Sequence, residues 1–432
     1  MRGADVSIGC MLLIDARCLA GRFSGIQRFT THVLRAVAEC SPMKPDRFGG
    51  CRVLVRAEAD LPTGLPDGLR DAGAALHSTG AGPSLLRDQL PSLPRRRGRW
   101  PLWIHAAQAA AEGGAPLMIL SPDAFAPLRV PAAVRRIVTV HDVIPLVRRA
   151  DLRRSWKGRL PGLWRAWLRR QAAAADRVLT VSSFSKADIV NALAVDPAKI
   201  AVVGNAVEPL PQGGALPPAL VRGADALGLP FVLCVGRADP YKNQRGLVEA
   251  FARLLVLAKA DSKTETKADF EADSTAEALP GLRLVFAGAA DRRYPAAAER
   301  AAELGVADRV LWLQPTEAQL GAMYREAAAV AVPSLYEGFG LPAIEAMVAG
   351  TPVVCSDAAS LPEVVGDAAL RVDAADPHAL AQALHRSITD AALRAELIAA
   401  GRRRAAHWSL KRFAGRLSAA LDEASGAPPR RH

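Results

Sequence analysis

Short, wholly apolar runs alternate with longer stretches of helical periodicity along nearly the whole chain. They do so in two series. In the first, MLLID (11–15), RIVTV (136–140), RVLTV (177–181) and IAVVG (200–204) read as buried strands. The second series is FVLCV (231–235), LRLVFAG (282–288), RVLWLQ (309–314), AVAVPS (329–334) and TPVVCSD (351–357). A strand apolar at every position hides both faces, and parallel sheets covered by helices on both sides meet that demand. Between the series lies NAVEPLPQGGALPPALVRGADALGLP, whose prolines and glycines mark a linker. The expectation is therefore an α/β protein of two doubly wound parallel-sheet domains facing a cleft. The domains would be 1–210 and 231–405, with 211–230 as linker and the basic segment 406–432 free to pack on the N-terminal domain.

Composition agrees with this architecture and removes several others. Half of the 432 residues are hydrophobic but only 5% are aromatic, which favours helices on sheets over an all-β sandwich. The six cysteines form no C-x-x-C pair, so neither a zinc ribbon nor a disulfide scaffold is expected, and a reducing cytoplasm fits best. MRGADVSIGC is not a secretory leader, and Met11 could serve as the natural start. Trp100–Leu120 is apolar but broken by Glu112, Gly113 and Gly114, too polar for a spanning helix. A soluble or peripheral protein is expected. Residues 259–279 are charged and poor in large apolar groups, and they read as a solvated insertion.

The chemistry concentrates in PSLYEGFGLPAIEAMVAGTPVV (333–354). A strand ends near Ser334, Gly338 and Gly340 follow, and a helix opens at Leu341–Pro342. The amides of Gly338, Phe339, Gly340 and Leu341 would point beyond the helix N-terminus, where phosphate or sugar oxygens bind readily. Glu337 and Glu345, spaced E-x7-E, place one carboxylate toward the cleft and the other where it could meet a ribose hydroxyl pair. Glutamates near a helix start are often only dipole partners, but a dyad across a Gly-x-Gly turn after a buried strand favours function. GFGLPA also fits G-x-G-x-x-A, with Asp357 near the acidic position of an NAD-dependent dehydrogenase. Against that, Glu337 would repel a pyrophosphate, and the motif lies in the fourth strand–helix unit of its domain.

A second signal is VGRADPYKN (235–243), just after a buried strand. Arg237 and Lys242 arrive at the mouth of the sheet, where preplaced cations stabilise the charge building on a departing diphosphate. No Asp-x-Asp occurs, so a metal-bridged diphosphate of that type is not indicated, and these two cations can take the metal's role.

Taken together and in order, SGIQRFT (24–30), VTVHDVIPL (138–146), VSSFSKADI (181–189), VVGNAV (202–207), VGRADPYKN and the E-x7-E block through SLPEVVGDAAL (360–370) resemble retaining nucleotide-sugar glycosyltransferases of family four. That resemblance implies the GT-B fold of two Rossmann-like domains and no cofactor beyond the nucleotide-sugar donor. It implies that Arg237 and Lys242 hold the donor diphosphate and Glu345 the ribose. Glu337 and the amides of Gly338, Phe339 and Gly340 would contact the transferred sugar. Gly25 would admit close approach of the donor, and His141 would sit under the reacting sugar. SGIQRF and HDVIPL resemble mannosyltransferases using GDP-mannose, with UDP-sugars as the competing donors. The acceptor would be a lipid-linked oligosaccharide or polysaccharide precursor such as that of lipopolysaccharide. Two departures stand out: Gln27 and Gln314 occupy positions where many relatives carry glycine. A catalytically silent binding module of the same fold is the alternative outside the enzyme class.

Charge is divided unevenly. Residues 1–215 hold 30 basic and 17 acidic side chains, whereas residues 216–432 hold 25 and 26. Two basic clusters carry tryptophan. One has Arg95, Arg96, Arg97 and Trp100; the other, DLRRSWKGRLPGLWRAWLRR (151–170), has Trp156, Trp164 and Trp167. They read either as a peripheral contact with the anionic inner face of the cell membrane or as a solvated basic face with tryptophans turned inward. No motif for nucleic acid accompanies them, and no nucleic-acid partner is expected.

Overall fold

The computed structural model describes residues 11–20, 25–55, 57–78, 117–124, 134–222, 227–228, 230–264, 281–288 and 291–426. At 20, 156–157, 222, 227–228 and 259–264 it describes backbone alone. The chain divides into two compact units. Unit 1 gathers Met1–Leu146, Pro161–Ala206 and Ser409–His432, and unit 2 gathers Val147–Leu160 and Val207–Trp408.

Unit 1 is built on a parallel sheet of β1 (Met11–Asp15), β2 (Cys51–Val55), β3 (Ala74–Ser78), β4 (Leu117–Ser121), β5 (Arg135–Thr139), β6 (Arg177–Thr180) and β7 (Ile200–Val202). Their order is β3-β2-β1-β4-β5-β6-β7, so connections reverse direction between β1 and β4. Leu12, Ile14, Val53, Ile137 and Val178 are all excluded from solvent, as both-face burial demands. The helix Gly25–Glu39 follows β1, and Pro161–Ala173 packs Trp164 and Leu168 against Val138 and Val178. Helix Leu410–Ser425 closes unit 1. Phe413 meets Phe29 edge-on at 5.4 Å, Arg416 Nε donates to Val203 O at 2.7 Å, and Arg47 pairs with Asp422 at 2.7 Å.

Unit 2 contains β8 (Val221–Arg222) and β9 (Leu227–Gly228), a small antiparallel pair, and then the main parallel sheet. That sheet comprises β10 (Phe231–Val235), β11 (Arg283–Ala287), β12 (Val310–Leu313), β13 (Ala329–Val332), β14 (Val353–Ser356) and β15 (Leu370–Val372), in the order β12-β11-β10-β13-β14-β15. Its core joins Val232, Leu284 and Phe286 to Leu247 and Phe251 of helix Gln244–Thr264 and Leu380 of helix Pro377–Thr389. Each such aliphatic or aromatic side chain contributes roughly 1.5–3 kcal/mol when withdrawn from water. Helix Glu317–Glu326 begins with a capping box: Thr316 Oγ1 accepts from the Gln319 amide while Gln319 Oε1 accepts from the Thr316 amide.

Two features depart from the sequence reading. The expected insertion at 259–279 does not begin where the charges do, because helix Gln244–Thr264 runs through KADSKT; Ala and Lys are good helix formers. Residues 265–279 lie outside the described residues. The segment Val147–Leu160, read as part of the first domain, groups with unit 2. The chain leaves unit 1 after Ala206 and returns at Ser409, and those crossings are tied by Val207 N donating to Trp408 O at 2.8 Å.

Candidate functional site

In an open parallel sheet, ligands bind beyond the carboxyl ends of the strands where the connections reverse. In unit 2 that point lies between β10 and β13, which are paired through Val232 with Ala329 and Leu233 with Val330. The loops leaving these strands are VGRADPYKN and PSLYEGFG. They meet directly, with Leu335 N donating to Tyr241 O at 2.7 Å. Topology therefore joins two motifs almost a hundred residues apart.

At their junction Lys242 Nζ donates to Glu337 Oε1 at 2.5 Å. Ser334 Oγ donates to the same oxygen at 2.8 Å, and Ser360 Oγ donates to the Glu337 backbone carbonyl at 3.0 Å. Glu337 is 7% exposed. Both side-chain contacts fall on Oε1, which leaves Oε2 without a hydrogen-bond partner among the described residues. The turn that follows depends on Gly340, whose φ is +101° and whose added Cβ would stand 2.5 Å from Leu361 Cδ2. Gly340 caps helix Leu341–Ala349, with Pro342 in the first turn. A rigid carboxylate, an ammonium and a helix N-terminus thus share one end of the unit 2 sheet. Such a group can bind hydroxyls and neutralise an anion.

The other expected residues fall differently. Arg237 turns its guanidinium to Asp239 at 3.2 Å and is 66% exposed, so it does not join Lys242 on Glu337. Phe339 is buried edge-on against Trp408 at 4.8 Å, which makes its side chain a packing element. Gly338 is buried beside it. Glu345 is also buried, but it accepts from Tyr324 Oη at 2.7 Å rather than sharing the Lys242–Glu337 pair. It borders an open recess of about 340 Å³ lined by Leu210, Gln212, Tyr324 and Arg325. Lys242 and Glu337 thus form a tight pair, while Glu345 borders a recess lined by other side chains. The spacing E-x7-E does not reveal this: eight residues separate the carboxylates, and each is captured by its nearest strong donor.

In unit 1, Gly25 is exposed at the first position of its helix. Phe29, one turn on, meets His141 edge-on at 4.9 Å. His141 Nε2 lies 2.8 Å from Pro122 O, so this nitrogen carries the proton and Nδ1 is an acceptor. Burial pushes the His141 imidazole below its usual range, outweighing the Pro122 carbonyl and Asp142, which raise it. Gln27 is buried, with Nε2 donating to Leu19 O at 3.2 Å and Oε1 unpartnered. Gln314 follows β12, the edge strand of the unit 2 sheet. Trp164 is 5% exposed in the unit 1 core, and Trp167 Nε1 donates to Ala124 O at 3.1 Å. Their expected place at a membrane is therefore corrected: helical spacing puts Trp164, Leu168, Gln171 and Ala172 on the buried face. Arg95, Arg96, Arg97 and Trp100 lie outside the described residues, as does the Trp156 side chain.

Sequence reasoning missed Ser334, Ser360 and Tyr324. Ser334 stands three residues before Glu337 and was within reach of inspection; the other two come from different elements.

Two family models match, "Glycosyltransferase Family 4" over residues 65–209 and "Glycosyl transferases group 1" over 224–404. A D-inositol 3-phosphate glycosyltransferase of Salinispora arenicola is 34% identical over 59% of this chain and 56% of its own. An MMP alpha-(1->4)-mannosyltransferase of Mycolicibacterium hassiacum is 32% identical over 62% and 60%. The chain thus spans a little over half the length of these relatives. Among solved structures, HepE of Anabaena in complex with UDP and glucose superimposes with a TM-score of 0.62 at 18% identity, covering 95% of this chain and 98% of that one. This likeness is one of fold, and it agrees with two Rossmann-like units of the GT-B kind.

Proposed function

The chain belongs to glycosyltransferase family four, and from that premise we propose that it transfers a hexose from a nucleotide sugar with retention of configuration and without a metal. The donor we favour is GDP-mannose, and the acceptor a lipid-linked oligosaccharide or polysaccharide precursor. The observation that carries the reading is the Lys242–Glu337 contact at the β10–β13 reversal.

Glycosyl transfer needs the bond between the anomeric carbon and the diphosphate oxygen to break, leaving charge on phosphate and an oxocarbenium-like sugar. Lys242 keeps two N–H directions after binding Glu337, and with the amides entering helix Leu341–Ala349 it can stabilise the departing diphosphate. Charge stabilisation that grows toward the transition state raises turnover rather than merely tightening binding. Glu337, held by Ser334 and Lys242 through Oε1, offers Oε2 to a hydroxyl of the transferred sugar. In same-face attack the departing phosphate oxygen takes the acceptor proton, so Glu337 need not serve as base. Glu345, fixed by Tyr324, is assigned to the ribose, and its border on an open recess supports that role. For unit 1 we assign Gly25 to backbone approach and the His141 Nδ1 acceptor to a sugar hydroxyl. Arg237 is assigned to the diphosphate only upon release from Asp239.

The relatives named as mannosyltransferase and inositol-phosphate glycosyltransferase support sugar transfer. The test is donor turnover by the purified chain with GDP-mannose and with UDP-, ADP- and dTDP-sugars, each with and without EDTA. Release of GDP from GDP-mannose unaffected by EDTA is expected. Turnover of UDP-sugars alone would replace the donor, loss on chelation would overturn metal independence, and no turnover of any donor would favour a binding module.

A further inference from the structure

We propose that helix Pro161–Ala173 docks unit 1 on an anionic lipid surface, by arginines and a leucine rather than by the tryptophans that its sequence advertises. The helix buries Trp164, Leu168, Gln171 and Ala172 and exposes Gly162, Leu163, Arg165, Ala166, Arg169, Arg170 and Ala173. The outward face therefore presents three cations and one large apolar group, with Leu163 66% exposed.

Two features set this face apart from an ordinary solvated one. A soluble helix normally shows both signs of charge outward, yet no acidic residue occurs from Pro161 to Ala175. Asp176, the next acid, is committed inward: its Oδ2 accepts from Arg136 N at 2.7 Å and its Oδ1 lies 3.5 Å from Arg135. Arg165, Arg169 and Arg170 have no ion-pair partner among the described residues. Small residues separate them, so the face can approach a flat surface closely while Leu163 enters its apolar margin. An anionic headgroup layer complements this charge. The helix is too polar to cross a bilayer; among the described residues no helix is long and apolar enough to do so.

Sedimentation of the full chain with phosphatidylcholine vesicles, alone or mixed with phosphatidylglycerol, tests the proposal. Binding is expected only with the anionic lipid and should weaken with salt. The triple substitution Arg165→Gln, Arg169→Gln, Arg170→Gln should lower partitioning on the order of a hundredfold, about fivefold for each arginine. Leu163→Ser should weaken it further while leaving hydrolysis of a soluble donor unchanged, which separates lost docking from lost folding. Equal binding to both vesicle types, undiminished binding by the triple variant, or arginine-dependent binding to RNA or DNA in place of vesicles would each overturn it.

Discussion

Replacing Lys242 with methionine removes the ammonium and keeps most of the aliphatic stem. Among the described residues the Glu337 carboxylate then retains only Ser334 as a side-chain partner, in a site where the pair's side chains are 18% and 9% exposed. Fully exposed pairs contribute about 0–1 kcal/mol, and breaking a fully buried one costs about 3–5. This pair stands nearer the buried limit, so a loss of about 2–4 kcal/mol in unfolding free energy is expected. Turnover should fall further than stability alone predicts, by roughly 100- to 1000-fold, because a preplaced charge opposite a departing oxyanion is removed. The double variant Lys242→Met with Glu337→Gln separates the two effects. Neutralising the stranded carboxylate should restore much of the stability, yet activity should stay low. Chemical denaturation and donor turnover on the same three preparations give the comparison. If Lys242→Met turns over donor at near the parent rate while folded, the ammonium has no part in the reaction and the site assignment fails.

Other consequences can be checked separately. Tyr324→Phe deletes the hydrogen bond to Glu345 and should cost about 1.5–3 kcal/mol, with KM for the donor rising more than kcat falls; unchanged KM would detach Glu345 from ribose binding. Gly340→Ala forces a Cβ into Leu361 at a positive φ, so both Tm and turnover should drop; a normal Tm would contradict the tight turn. His32 is pushed down to about 3 by burial, with Arg28 and Arg35 adding to it. The unfolded chain protonates near 6.5 while the folded chain resists, so stability is full above that pH and declines as pH falls toward about 3. The slope approaches about 1.4 kcal/mol per pH unit. His32→Asn should flatten that part of the profile in urea titrations at successive pH values.

Much of this was legible before coordinates because parallel strands buried on both faces leave a strong signature. MLLID, RVLTV, FVLCV, AVAVPS and TPVVCSD each contain a strand within a residue or two of the expected place. Of the strands that escaped notice, β2 has an apolar run, CRVLV, as plain as those read correctly, whereas β3 and β4 have weaker signatures. β3 is an edge strand, AALHS, buried only at Ala74, so it shows no apolar run. β4 is buried throughout, but its LMIL sits at the end of the long apolar stretch Trp100–Leu120, where no boundary is visible. In the site, the strand–Gly-x-Gly–helix pattern pointed to Glu337 and VGRADPYKN to Lys242, and strand order brings the two loops to one end of the unit 2 sheet. The partners of Glu345 and Arg237 were not readable. Asp239 competes with any ligand for Arg237, and Tyr324 comes from the preceding helix; neither contact follows from motif spacing. The inward turn of Trp164, one of the two readings that the basic cluster allowed, is the one that the 164, 168, 171, 172 spacing supports.

The central claim is that the loops after β10 and β13 form the seat of a nucleotide sugar's diphosphate. A crystal structure with GDP-mannose or its GDP product bound examines this most directly. The account predicts phosphate oxygens within hydrogen-bond reach of Lys242 Nζ and the amides entering helix Leu341–Ala349, with a hydroxyl of the sugar on Glu337 Oε2. Well-ordered nucleotide density elsewhere in the protein, with Lys242 still engaged by Glu337 alone, would contradict it.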